Sequence, residues 1–239
     1  MDDDGTPTRP ALSARLAEVR AEIDTAARRG GRQPEDVTLV VVTKSVPPTV
    51  FPALGELGAT DLGENRIQGV AERLAGYEAA FRWHFIGHLQ SNKARKAVPL
   101  FDVFHGVDSV DLMLRLDRLA GEFGRRPELF LQVNVSGEDS KSGLPPEAVS
   151  EAVERSLSLE HARLVGLMTM APRVEDREQT RPVFRALAAL RKAHGPAAGH
   201  PGLTQLSMGM TRDFAIAVEE GATCVRVGRR IVGPVDGSA

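Results

Sequence analysis

One stretch limits the fold more than any other: the apolar, β-branched run Val37-Thr-Leu-Val-Val-Val-Thr43, followed at once by Lys44. A strand apolar on both faces belongs to a parallel sheet covered by helices, because a sheet with one wet face alternates apolar and polar residues. Pro47 and Pro48 end the run. Lys44 is therefore expected at the carboxyl end of a rigid strand, with its ammonium aimed into the mouth of a sheet or barrel. Burial there favours a neutral amine, and a neutral amine attacks an aldehyde to form an imine. The plainer alternative is a lysine that snorkels to solvent.

Further short apolar runs fall at 58–63, 81–86, 103–107, 129–135, 164–170, 205–210 and 224–228. Between them the spacing predicts helices over 48–57, 67–80, 110–123, 179–193 and 212–220, one from about 145, and one after a cap at Ser91 or Asn92. Strand then helix repeats about eight times, which predicts a single (β/α)8 TIM-type barrel, an α/β fold of about this length. A doubly wound open sheet is the alternative, but no G-x-G-x-x-G follows the first strand. Residues 11–28, with Leu16, Val19 and Ile23 on one face, read as an extra N-terminal helix. The expected organisation is a flexible acidic tail over 1–10, the barrel over 11–235 and a short tail over 236–239.

A net charge of -2 gives no general basic field, so nucleic acid is not an expected partner. Lys93, Arg95, Lys96, Arg191 and Lys192 read as solvated helix faces. The single cysteine, Cys224, excludes an internal disulfide and a multi-cysteine metal site and suits a reducing cytoplasm. The histidines lack metal-binding spacing. Met-Asp-Asp-Asp has the wrong sign for a secretory signal, and no apolar run approaches the ~18 residues of a membrane span. A cytoplasmic protein with no membrane contact is expected.

In a barrel the carboxyl ends of all strands share one face. That face would hold Lys44, Asn65, Gly87, His88, Asp108, Ser109, Asn134, Ser136, Met168, Met170, the segment Ser207-Met-Gly-Met-Thr211, Arg226 and Gly228. Gly209 would let backbone approach a ligand closely, while the Ser207 and Thr211 hydroxyls and the N–H groups of the next helix hold an anion. An ordinary loop with an N-cap explains the same residues. Val227-Gly228-Arg229 would complete a phosphate cup. An imine-forming lysine and a phosphate cup on one face ask for an aldehyde that carries a phosphate, and pyridoxal 5'-phosphate is the candidate. Arg226, inside a short strand, needs a partner, either a ring nitrogen or a neighbouring carboxylate. The methionines are barrel-mouth packing or a wall beside a flat ring.

Several of these segments, in this order, resemble a known family: Val42-Thr-Lys44, Gly63-Glu-Asn65, Trp83 to Lys93, Asp139 to Gly143, Gly166 to Met170, Leu206 to Met210 and Val225 to Gly228. From about Ala11 to Gly233 the chain resembles the pyridoxal-phosphate homeostasis proteins, a group similar to the N-terminal barrel of alanine racemase. The resemblance implies that Lys44 holds pyridoxal phosphate as an internal aldimine, Arg226 faces the pyridine nitrogen and Asn65 lines the ring. It places the phosphate on Ser207, Gly228 and the backbone of residue 229. One departure stands out: the family often has threonine where this chain has Arg229. Racemases built on this barrel take a second base, a tyrosine, from a further C-terminal β-domain of the partner subunit. This chain ends soon after Gly233, and its one tyrosine, Tyr77, is expected on the outside of the barrel. The resemblance thus implies no catalytic residue. It implies a monomer that stores, buffers or delivers pyridoxal phosphate, with pyridoxal-phosphate-dependent apoenzymes as partners and indirect effects on amino-acid and keto-acid balance. A low-activity amino-acid racemase is the main alternative, and a class I aldolase with a phosphosugar substrate would leave the protein colourless.

Overall fold

The structure, a computed structural model, describes residues 6–138 and 142–233. Most of the expected acidic tail (1–5), the centre of the 136–143 loop and the whole C-terminal tail lie outside the described residues. Eight parallel strands close a barrel in sequence order: β1 (Thr38–Val42), β2 (Asp61–Glu64), β3 (Arg82–Phe85), β4 (Val103–Val107), β5 (Glu128–Gln132), β6 (Arg163–Met168), β7 (Gln205–Met210) and β8 (Cys224–Val227). The seam pairs Val40 with Arg226 and Val41 with Val227. The helices are α1 (Arg9–Arg29), α2 (Phe51–Glu56), α3 (Val70–Leu74), α4 (Ala94–Ala97), α5 (Val110–Glu122), α6 (Val149–Ser156), α7 (Arg181–His194), α8 (Phe214–Glu219) and α9 (Arg229–Val232).

The extra helix α1 begins at Arg9, inside the segment expected as tail, because Pro10 has its φ set for the first turn, where its missing N–H costs nothing. Leu12, Leu16, Val19, Ile23, Ala26 and Ala27 form its buried stripe, which packs on α8 and α9. Arg15 ties it down, donating from Nη1 to the carbonyls of Ile231 (3.1 Å) and Gly233 (2.6 Å).

Helix α3 is far shorter than the expected 67–80, bounded by Gly69 and Gly76 at φ +70° and +83°. The sequence after Gln90 forms a 3-10 turn over Ser91–Lys93 and then α4, with no side-chain cap from Ser91 or Asn92. Ser109 does cap α5, its Oγ accepting from the Leu112 N–H at 3.2 Å.

The larger core lies between strands and helices. Trp83 there meets Phe51 at 5.3 Å and Phe81 at 5.6 Å, both edge-on. Tyr77 packs on Phe51 in this outer layer, as the sequence predicts. Inside the barrel the apolar cluster is small, formed by Val103, Phe130, Val165 and Met168. Much of the remaining interior is polar, with His84, His105, Gln132, Ser207 and Arg226 all buried. Among the described residues no helix is long and apolar enough to cross a membrane.

Candidate functional site

Lys44 follows β1 in a turn closed by the Val46 N–H donating to the Thr43 carbonyl (3.0 Å). Its side chain is exposed, so the burial expected to favour a neutral amine is not present. What the structure provides is a fixed position. Arg73 of α3 donates to the Thr43 carbonyl (2.7 Å), to the Val46 carbonyl and, through Nε, to Glu64 Oε1 (2.9 Å). The Thr43 hydroxyl donates to the same Glu64 oxygen at 2.7 Å. The guanidinium also lies over the Phe51 ring, 5.3 Å from its centroid. Glu64 and Arg73 thus clamp both flanks of the lysine.

Lys44, Asn65, Thr211, Arg226, Gly228 and Arg229 come together around one cavity of about 530 Å³ at the carboxyl ends of the strands. Gly87, His88, Met170, Met210 and Asp213 also line it. Gly87 is required by close approach, since a Cβ there would lie 2.6 Å from the Asn65 carbonyl oxygen. Asn65 Oδ1 is buried and has no hydrogen-bond partner among the described residues, as expected of an atom that waits for a ligand. His88 Nδ1 lies 2.9 Å from Asp108 Oδ2. Asn134 and Ser136 bond locally instead, Asn134 Nδ2 donating to the Glu138 carbonyl at 2.9 Å and the Ser136 hydroxyl to Asn134 Oδ1 at 3.2 Å.

The lining is strongly cationic: Lys44, Arg173, Arg177, Arg212, Arg226 and Arg229 face the carboxyl of Asp213. Burial pushes that carboxyl up, against the pull of the Met210 N–H, which donates to it at 2.6 Å, and of nearby Arg226. In a chain of net charge -2 this concentration of positive charge singles out the mouth as an anion site. A wider depression of about 800 Å³ at the opposite end lacks this bias. There Arg82, Arg125, Arg126 and Arg163 are matched by Asp61, Glu78, Asp102 and Glu128.

Ser207 and Gly209 stand apart from the cavity lining. Ser207 lies below the end of β7, paired with Cys224 where Met210 pairs with Arg226, which puts it about 7 Å deeper at ~3.3 Å per residue of β8. Its hydroxyl accepts from Arg226 Nη1 and lies 2.7 Å from His105 Nδ1. Gly209 has φ +91°, and a Cβ there would lie 2.6 Å from the Ala217 Cβ, so the glycine serves the close seating of α8 on β7. Arg226 points into the barrel, the inward of the two directions open from sequence, and Nη2 donates to the Thr169 carbonyl at 3.2 Å.

Sequence reasoning missed the histidines beneath. His105 Nε2 lies 2.9 Å from His84 Nδ1, and His84 Nε2 lies 2.9 Å from Asp61 Oδ1. Burial lowers the pKa of both histidines, and for His105 the charges of His84 and Arg226 add to it. Burial opposes ionisation of Asp61, but the hydrogen bond and charge of His84 and the Thr60 hydroxyl outweigh it and hold the carboxyl below its usual range. A histidine whose folded pKa lies below its unfolded value binds fewer protons when folded, so acid favours the unfolded chain. The unfolding free energy is therefore expected to fall as pH drops below about 6.5, by up to about 1.4 kcal/mol per pH unit for each histidine. Urea unfolding between neutral pH and pH 5, compared with His105→Phe, checks this through a shallower slope in the variant.

The profile of the family described as "Alanine racemase, N-terminal domain" matches residues 15–235. A pyridoxal phosphate homeostasis protein of Aquifex aeolicus (strain VF5) is 37% identical over 227 residues, covering 92% of this chain and 96% of that protein. PipY of Synechococcus elongatus PCC7942, solved without pyridoxal phosphate, superposes with a TM-score of 0.83 at 36% identity over 93% of this chain and 100% of that one. PipY solved with pyridoxal phosphate bound gives 0.78 at 35% identity, with 93% and 100% covered. The chain belongs to the alanine racemase N-terminal domain family and, within it, to the pyridoxal phosphate homeostasis proteins.

Proposed function

We propose that this protein binds pyridoxal 5'-phosphate in the cavity at the barrel mouth and serves its homeostasis, by storage, buffering or delivery, without catalysing a reaction of its own. The observation that carries this reading is the convergence of the Lys44 amine, the Arg226 guanidinium and an excess of positive charge on one cavity. The residues present fit that ligand: the unpartnered Asn65 oxygen awaits a polar group, and the cations match a phosphate. Bound there, pyridoxal phosphate supplies an aldehyde that a lysine amine captures reversibly.

In this reading Lys44 contributes the amine, held in place by Glu64 and Arg73. Arg226 donates to the ring nitrogen, and a guanidinium that cannot give up its proton keeps that nitrogen unprotonated, which suits holding more than catalysis. Thr211, Gly228 and Arg229 surround the phosphate, and the Arg229 guanidinium takes the part of the threonine hydroxyl frequent in the family. Ser207 and Gly209 support this wall from below. Tyr77 packs on Phe51 outside the barrel, which leaves it far from any role as a second base. In this reading the protein is a monomer whose open mouth suits hand-over to pyridoxal-phosphate-dependent apoenzymes. A cytoplasmic setting suits the free thiol of Cys224. The relatives' names describe a homeostasis role and not a catalytic one.

The test is absorbance on titration with pyridoxal phosphate, followed by borohydride reduction and peptide mapping. A visible band and a reduced adduct on Lys44 are expected, and Lys44→Ala should abolish both. A colourless wild type, or an adduct on another lysine, would overturn the assignment.

A further inference from the structure

A single file of hydrogen-bonded side chains runs from the mouth of the barrel to its floor, and the carboxylate at the floor dictates its polarity. A guanidinium only donates, so Ser207 Oγ accepts from Arg226. The serine's own proton is then free to point to His105 Nδ1 at 2.7 Å. With Nδ1 accepting, neutral His105 carries its proton on Nε2, 2.9 Å from His84 Nδ1. His84 in turn carries its proton on Nε2, facing Asp61 Oδ1 at 2.9 Å. An ionised carboxylate only accepts, so Asp61 sets this order, and the Ser207 hydroxyl at the Arg226 end accommodates it. A further proton on His84 would set two N–H groups face to face, and one on His105 would meet the proton of the Ser207 hydroxyl.

Among the described residues that act on the file, the one competing side chain beside Ser207 is the Cys224 sulfur, a weaker acceptor than an imidazole nitrogen. His105 stacks on Phe130 with centroids 4.7 Å apart, and neighbouring Cys224 is kept a neutral thiol by burial, its pKa pushed up to about 12. Arg82 and Asp102 face His84 from the floor side, and Asp213 faces Arg226 at the mouth. Nη2 of Arg226 is held by the Thr169 carbonyl, and the Thr169 hydroxyl donates to the Val133 carbonyl at 2.8 Å. The guanidinium plane is thus fixed by Ser207 on one side and Thr169, the residue after β6, on the other while the group still lines the cavity.

We propose that Asp61, at the floor of the barrel, is a positioning residue for Arg226, acting through His84, His105 and Ser207. The file fixes the guanidinium from below, while the nearer negative charge at the mouth is Asp213. The effect on ligand affinity rests on the proposed binding of pyridoxal phosphate; the tautomer order does not.

Long-range 1H–15N correlation spectra of the ligand-free protein at neutral pH read the order directly. His84 and His105 are both expected as neutral Nε2–H tautomers. In Asp61→Asn, whose amide can donate or accept, His84 should populate both tautomers, and the dissociation constant for pyridoxal phosphate should rise about tenfold, the size of one charge-assisted hydrogen bond. Ser207→Ala, which cuts the file beside Arg226, should weaken binding by a similar factor while His84 keeps its Nε2–H form. A charged or Nδ1–H histidine in the wild type overturns the proposal. So does an Asp61→Asn protein that melts earlier yet keeps its tautomers and its affinity, because Asp61 would then be structural only. Failure of the wild type to bind pyridoxal phosphate would overturn the proposed function alone, since the tautomers still decide the file.

Discussion

Replacing Glu64 with alanine is expected to destabilise the protein by about 3 kcal/mol, at the lower edge of what removing one partner of a buried ion pair costs. Glu64 is 3% exposed and accepts from both Arg73 and the Thr43 hydroxyl. Its loss leaves Arg73 with carbonyl partners only and frees the turn that carries Lys44. Glu64→Gln keeps an acceptor for Thr43 and removes the charge, so about half the loss is expected. Urea unfolding measures the stability, and the extent of borohydride trapping at a fixed low concentration of pyridoxal phosphate measures the turn. Both variants should trap less than wild type in proportion to their instability. Equal trapping in all three would mean that Lys44 needs no clamp.

Arg226→Leu should separate folding from binding. An aliphatic residue at this position is what the interior of such a barrel ordinarily holds, and exchanging a buried charge for a well-packed apolar group is often neutral. Folding should therefore survive, with a loss of about 1–2 kcal/mol for the unpaired Ser207 hydroxyl and Thr169 carbonyl. Pyridoxal phosphate affinity should fall about 10- to 100-fold, the range of a hydrogen bond from a charged donor. Arg226→Lys should not restore it, because one ammonium cannot reproduce a planar fork that serves Ser207, Thr169 and the cavity together. Calorimetric titration of the folded variants checks both expectations, and unchanged affinity would mean that the ligand does not touch Arg226.

The barrel was legible because a parallel sheet covered on both faces leaves a sequence mark in every strand, as in Val40-Val41-Val42, and because eight such marks alternate with helical spacing. Helix boundaries were less so: Gly69 and Gly76 confine α3 to Val70–Leu74 although the apolar spacing runs on past it. The cavity lining was legible where it sits just beyond a strand end, as at Lys44, Asn65, Thr211, Gly228 and Arg229. Ser207 was expected in the cup and stands outside the cavity lining, because a motif shows order along the chain and not depth along a strand. Glu64, Arg73, His84 and His105 escaped because their roles are set by partners far away in sequence, 102 residues in the case of His105 and Ser207. A clue was present: an ionisable side chain within a buried strand needs a partner, the argument applied to Arg226, and it holds equally for the histidines of β3 and β4.

The crowd of arginines at the barrel mouth has a consequence for time as well as for affinity. A mildly anionic protein would repel a phosphate-bearing ligand at long range, but a concave cationic patch reverses the sign of the field along the one approach that leads to Lys44. Arrival at the mouth is then accelerated and its speed falls steeply as salt shortens the reach of the field, whereas departure, governed by contacts already formed, responds less. The exposed arginines Arg173, Arg177 and Arg212 act on the ligand before it has touched anything, and set how quickly a scarce molecule is caught.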